Sequence, residues 1–398
     1  MATSAARKAA RGLLLALALA GLACLTFAGG ACRLPAAGGD EPGPGSGPEA
    51  VTPGEPGAGL PLRLPGGLLA FGLREPEPGG GGGTVMWLAT IDSEGRNLTR
   101  RFSLHPDDSL LSLSPDGTRL VTRRSPLGGE ITWWLYDLVG GAVVELPIPP
   151  EGYITRVYWS GDSTRLAYMA MADSEAGTPE RIGLVAVDGA EVTARATATR
   201  PSQGDGRMAW IPGSNAFLFV GNPQGLDRNL YVRNLDTGDE RLIVRNVFCE
   251  RLRVSPDGRL AAYYEGLMGG KVEIADLATG VKISVKTYPA TVTDLAWSPD
   301  GVLLAIVYSD TEAGPARLDI YSTVADAVTV TTAAIAEWQY LLPPNLTWSR
   351  DGRYVFLAGD VKGQDSLGVY RVDPRDGRVV RVFACGEDQS IRNLNGTP

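Results

Sequence analysis

Residues 251–265 read RLRVSPDGRLAAYYE, and residues 293–308 read TDLAWSPDGVLLAIVY. In each, one apolar run arrives at Ser-Pro-Asp-Gly and another leaves it. The phrase stands at Ser255–Gly258, at Ser298–Gly301 and once more at Ser114–Gly117. Its four residues have separable tasks. Pro holds φ near about −65°, which suits the second position of a turn. Asp accepts N–H groups of the turn backbone, and Gly takes the positive φ that closes a hairpin. The phrase therefore predicts a tight turn between two strands. It is scaffold, not chemistry.

Looser versions fill the gaps: Ser160-Gly161-Asp162-Ser163, Pro212-Gly213-Ser214 and Ser349-Arg350-Asp351-Gly352. They recur at a period of roughly 45 residues, which is a repeat-protein spacing. Each phrase is followed by two further apolar runs, as in KVEIADL and VKISV, ARLDIYS and AVTV, or LGVYRVD and RVVRV. A second turn separates those runs, at Asp236-Thr237-Gly238, Ala278-Thr279-Gly280 and Arg375-Asp376-Gly377. The runs are rich in Val, Ile, Leu, Tyr and Trp, and so read as strands. Upstream, GGLLAFGL and TVMWLATIDSEGRNLTRRF supply strands two to four of a first unit that lacks the turn phrase.

Four antiparallel strands per unit, repeated around a ring, predict an all-β chain folded as a β-propeller. Seven four-stranded blades over residues 65–385 are expected, with six or eight as alternatives. Ring closure needs a strand from a terminus. Ser390–Leu394 in the 386–398 tail is one candidate, and residues 59–66 are the other. The unit closely resembles the TolB-like propeller repeat, over about four fifths of the chain. That resemblance implies the fold; its members include periplasmic and surface binding proteins and the gating propellers of some serine peptidases. Two elements found in that family are not expected here: the α/β domain that precedes the propeller in TolB and a catalytic domain after it.

The first 32 residues have a different composition. Arg7, Lys8 and Arg11 precede an apolar stretch from Gly12 to Ala28, which is the order of an export leader or membrane anchor. Gly30-Ala31-Cys32 resembles the end of a bacterial lipoprotein signal, with Cys32 as the lipid acceptor. Gly29 departs from that pattern, because Leu or a similar residue is usual three positions before the Cys. Cys24 is a weaker acceptor. Residues 33–64 are dominated by Gly and Pro and read as a disordered tether. The expected location is the cell envelope, membrane-tethered through a lipid or the leader, facing periplasm or exterior.

The rest of the composition narrows the function. A formal net charge of −8 with scattered Lys and Arg argues against nucleic acid. The single histidine, His105, sits in FSLHPDDSL and reads as a loop residue, so no Ser-His-Asp triad is expected. No cofactor is expected. His105–Asp108 and Asp236–Glu240 carry carboxylates but follow no calcium-loop pattern, and read as turns. Cys249 and Cys385 read as half-buried small apolar residues that do not bridge. Asp294, just ahead of LAW, is the best candidate for an acid facing the channel, but no ring of acids accompanies it. Trp159, Trp210, Trp297 and Trp348 recur just before the turn phrase and are expected to pack blade on blade. In the doublet Trp133-Trp134, only one ring can enter the core.

Binding is then the expected function: a non-catalytic, monomeric propeller that takes a protein or peptide. The long connections at 75–83, 170–180 and 331–344 vary most between units, and variable loops on a rigid ring carry recognition. Trp338, Tyr340 and Leu341 in the third are the candidate partner contacts. The alternative is an extracytoplasmic hydrolase or lyase with carboxylates in the channel.

Overall fold

Every regular element among the described residues is a β-strand. The computed structural model describes residues 56–396, apart from 78–82, 128, 149–153, 171–180, 189–190, 197–207, 222–227, 248, 267–269, 290, 312–314, 334, 338–345, 362–363 and 387. The leader, Cys24, Cys32 and nearly all of the tether lie outside the described residues, as do Trp338, Tyr340 and Leu341.

The strands form seven separate antiparallel sheets, one per unit. The first blade contains β1 (Leu69–Pro76), β2 (Thr84–Ile91) and β3 (Thr99–Leu104). The second contains β4 (Asp108–Leu113), β5 (Arg119–Arg124), β6 (Thr132–Asp137) and β7 (Val143–Glu145). The third contains β8 (Ile154–Trp159), β9 (Arg165–Ala170), β10 (Arg181–Asp188) and β11 (Glu191–Ala196). The fourth contains β12 (Met208–Trp210), β13 (Ala216–Gly221), β14 (Asn229–Asn234) and β15 (Glu240–Val244). The fifth contains β16 (Cys249–Val254), β17 (Leu260–Glu265), β18 (Gly270–Asp276) and β19 (Lys282–Tyr288). The sixth contains β20 (Val292–Trp297), β21 (Leu303–Ser309), β22 (Pro315–Ser322) and β23 (Ala327–Thr331), with the two-residue β24 (Ala336–Glu337) on β22. The seventh contains β25 (Leu346–Trp348), β26 (Val355–Val361), β27 (Gln364–Val372) and β28 (Val379–Ala384).

The last strand, β29 (Ser390–Gly396), pairs antiparallel with β1 and fills the innermost place of the first blade. The inner strands β4, β8, β12, β16, β20, β25 and β29 then touch in a closed circuit. This is a seven-bladed β-propeller. Each of seven apolar clusters joins two neighbouring blades, so the core is a set of seams rather than one centre.

The turn phrase closes the hairpin between the first and second strands of its blade. At Ser298 the hydroxyl donates to Asp300 at 2.6 Å and accepts the Leu303 N–H at 2.8 Å. The Asp300 carboxylate accepts the Val302 N–H at 3.0 Å, and Gly301 sits at φ 71°. The hydroxyls of Ser255, Ser298 and Ser349 hold Asp257, Asp300 and Asp351 below the usual carboxylate range. The fourth blade departs from this. Ile211 stands where the others have Ser, Gly213 takes φ 69°, and Ser214 Oγ donates to the Ile211 carbonyl instead. In the second to sixth blades the second turn leans on the first; Leu277 N–H, for example, donates to the Arg259 carbonyl at 2.9 Å. Both kinds of turn thus share one face of the ring.

Residues 57–64 strap the outside of the seam between the first two blades. Gly57 N–H donates to the Ser103 carbonyl at 2.9 Å, and Leu62 N–H to the Leu138 carbonyl at 2.6 Å. Leu60, Leu62 and Leu64 pack on the apolar cluster of that seam. At the opposite side of the first blade, Gly95 (φ 79°) lies against the Val382 carbonyl of β28, where a Cβ has no room. Arg371 of β27 donates to the Ser93 carbonyl at 3.0 Å and stacks over Tyr354.

Candidate functional site

Four tryptophans do the same thing at four seams. Trp159 Nε1 donates to the Ser112 carbonyl at 3.1 Å, and Trp210 Nε1 to the Tyr158 carbonyl at 2.8 Å. Trp297 Nε1 donates to the Arg253 carbonyl at 3.2 Å, and Trp348 Nε1 to the Ala296 carbonyl at 2.9 Å. Each indole stands at the end of an inner strand and reaches back to the inner strand of the preceding blade. Satisfying the ring N–H is what lets so large a side chain be buried there. The recurring Trp is packing, as its sequence position implies. Leu113 and Val254 occupy the same place in the second and fifth blades, and there the channel widens.

The widening is a cavity of about 410 Å³ at the turn-face mouth of the channel. Its walls come from Leu111 and Leu113 of β4, Val157 and Trp159 of β8, Met208 and Trp210 of β12, and Leu252 and Val254 of β16. Asn393 and Asn395 of β29 complete the rim, and Trp133 closes it from behind. Among the described residues that line it there is no Asp, Glu, His or Lys. Polar character comes chiefly from Arg253 and the two asparagines. Asn393 is buried, sits at φ 41°, and its Oδ1 accepts the Leu111 N–H at 3.0 Å.

Asp294 is not an unengaged channel acid. It is buried, and its Oδ1 accepts Arg253 Nη2 at 2.6 Å, across the seam between the fifth and sixth blades. The other buried carboxylates are likewise engaged. Asp108 accepts Arg124 Nε at 3.0 Å and the Tyr136 hydroxyl at 2.5 Å. Asp319 accepts Lys286 Nζ at 2.7 Å, Tyr288 at 3.0 Å and Thr331 at 2.7 Å. Burial alone would raise the Glu273 pKa, but Lys271, Lys282 and the Tyr263 hydroxyl outweigh it and hold the group at about 2. Asp108, Asp319 and Glu273 each carry a cation and a tyrosine, which is how a buried charge is tolerated.

His105 lies in the connection between β3 and β4, where Nδ1 accepts the Asp107 N–H at 3.2 Å. Of the doublet, Trp133 is buried, while Trp134 is half-buried with the Arg124 guanidinium 4.1 Å from its ring centre. Cys249 and Cys385 are buried and form no disulfide, and burial pushes Cys385 up to about 12. The cavity was absent from the sequence reading, yet its signal stood there. RLRVSPDG has Val at the place where TDLAWSPDG has Trp.

No protein-family model matches the chain, and no curated protein matches it. Solved structures do. The periplasmic gluconolactonase of Pseudomonas aeruginosa is 14% identical with a TM-score of 0.55, over 82% of this chain and 98% of that one. An oligogalacturonate lyase in complex with manganese is 16% identical with a TM-score of 0.52, over 77% of this chain and 98% of that one. TolB from Acinetobacter baumannii is 20% identical with a TM-score of 0.47, over 65% of this chain and 62% of that one. At these identities the likeness is one of fold, and the fold hosts unrelated activities.

Proposed function

We propose that this is a non-catalytic, monomeric propeller, exported and held at the cell envelope, that binds a protein or peptide. The observation that carries the reading is the apolar cavity at the turn-face mouth, whose lining among the described residues holds no carboxylate. Concave apolar sites with few polar groups are built to bind. Hydrolase or lyase chemistry needs acids or bases converging on one volume, and Asp294, the channel-facing candidate, is spent on Arg253. The tether and Cys32 supply the envelope location, through a lipid on Cys32 or the leader itself. Trp338, Tyr340 and Leu341 would make a second contact area among the variable loops.

Photo-crosslinking from the full-length chain tests this. One crosslinker replaces the exposed Arg259 on the turn face; another replaces Leu127, 98% exposed in the connection between β5 and β6 at the opposite side. An adduct with a distinct polypeptide from position 259 is expected. An adduct from 127 alone, lost in a Trp338→Ala/Tyr340→Ala chain, moves the binding to the loops. Adducts from neither position remove the reading. Fatty-acid labelling that disappears in Cys32→Ser tests the anchor separately.

A further inference from the structure

A second cleft, of about 550 Å³, lies on the turn face of the second blade, between the strap and the blade's two turns. It shares no lining residue with the cavity at the channel mouth. Four charged groups line it, and two of them are spent. Asp116 Oδ1 accepts the Ser114 hydroxyl at 2.7 Å and the Thr118 N–H at 3.0 Å, and the Thr118 hydroxyl lies 2.9 Å from both its oxygens. Arg119 Nη1 donates to the Ser163 carbonyl at 3.0 Å, across the seam to the third blade. The other two are open. Arg63 of the strap is exposed and makes no hydrogen bond or ion pair among the described residues. Asp137 Oδ1 accepts the Val139 N–H at 3.1 Å and the Gly140 N–H at 2.8 Å, while Oδ2 accepts nothing from the described residues. Opposite charges therefore face one cleft without joining each other.

The open oxygen is particular to this turn. An Asp opens the same turn in the first and seventh blades, and there Asn97 Nδ2 donates to Asp92 Oδ2 at 3.0 Å and Arg375 Nη2 donates to Asp373 Oδ2. In the fifth blade Thr279 stands where the second has Gly140, and its hydroxyl donates to Asp276 at 3.0 Å. A Cβ at Gly140 would strike Asp137 Oδ2, so the glycine is what leaves that oxygen room. Val139 and the half-buried Leu64 add apolar surface to the same lining.

A lone anion in this cleft would be attracted by Arg63 and repelled by Asp137, and a lone cation the reverse. A dipolar molecule satisfies both. We propose that the cleft binds a small zwitterion of the α-amino-acid type. Its carboxylate accepts from Arg63, its ammonium donates to Asp137 Oδ2, and an apolar side chain lies against Val139 and Leu64. A free amino acid and a short peptide with both ends free share this chemistry. The site goes beyond the partner reading and does not depend on it.

Calorimetric titration of the full-length chain with valine is the test. Beside it run 3-methylbutanoate, which keeps the side chain and carboxylate but lacks the ammonium, and 2-methylpropylamine, which lacks the carboxylate. Valine should saturate one site and bind about tenfold tighter than either, the worth of one charge-assisted hydrogen bond. Arg63→Gln changes an exposed side chain, and Asp137→Asn keeps an Oδ1 for its turn. Each should weaken valine about tenfold. Should Asp137→Asn fail to fold, the three ligands on the unaltered chain still decide. Valylvaline separates the sources: tighter than valine assigns the cleft to a short peptide, weaker assigns it to the free amino acid. Saturation by neither valine nor valylvaline overturns the proposal. So does an analogue that binds as well as valine, or binding that both substitutions leave unchanged.

Discussion

The seam between the fifth and sixth blades and the seam between the fourth and fifth are built on the same repeat and end differently. In the first, Trp297 reaches back to Arg253 and the inner strands are filled. In the second, Val254 stops short and a cavity opens. The second seam is bridged further out: Arg241 Nη2 donates to the Leu277 carbonyl at 2.8 Å, while within the fifth blade the Tyr263 hydroxyl donates to Glu273 at 2.9 Å. A propeller can therefore empty one inner place without losing the seam, because each seam runs the whole radius of the ring. The seam's apolar cluster and its outer bond persist where the inner place is empty.

That contrast can be broken deliberately. Trp297→Ala should empty the filled seam and cost about 3–5 kcal/mol, as buried aromatic truncations do. Denaturant unfolding measures it; a loss below about 1 kcal/mol would mean the indoles are not what hold these seams. Glu273→Gln attacks the fifth blade itself, where Lys282 would lose its carboxylate and Lys271 would keep only Glu265 at 3.6 Å. About 2 kcal/mol is expected at neutral pH, discounted because both lysines are partly exposed. The pH dependence carries a sign. The folded pKa of Glu273 lies at about 2, below its ordinary 4.5, so its contribution is complete above that range and drains away as pH falls towards 2. An acid titration of stability should be steeper in the unaltered chain than in Glu273→Gln over that window. Val254→Trp should sharpen the contrast from the other side and add about 1 kcal/mol by filling the void. A destabilised Val254→Trp would show the place is already shaped against an indole. Ser298→Ala removes one hydroxyl clip and should cost about 1 kcal/mol. The fourth blade turns without such a clip, so a much larger loss would mean Ser298 does more than close its hairpin.

The fold was legible because its signals are local. SPDG specifies a turn by the backbone demands of four consecutive residues, and strand alternation on either side needs no distant partner. The seven units therefore read directly from the chain. Ring closure was only half legible, since nothing local decides between Ser390–Leu394 and residues 59–66 as the inner strand of the first blade. The structure uses both ends, β29 inside and residues 57–64 outside. The candidate site was the least legible. A cavity is made by residues from five blades, and its defining feature is a side chain that fails to appear. Val254 is unremarked in RLRV until Trp159, Trp210, Trp297 and Trp348 are seen to share one bond. Asp294 illustrates the converse: sequence places it towards the channel, but only the fold brings Arg253 alongside.

The placing of β29 also sets an order of events. The first blade to be synthesised is the last to be completed, because its innermost strand arrives with residues 390–396. Until then β1 presents an unpaired edge to whatever surrounds it, and the inner circuit has a gap where Asn393 would meet Leu111. A chain emerging end-first from a ribosome or a translocation pore can assemble its middle blades one by one, yet it cannot form a ring. The cavity mouth, with Asn393 and Asn395 on its rim, comes into being only at that final step. The arrival of β29 is thus itself the event that completes the candidate site.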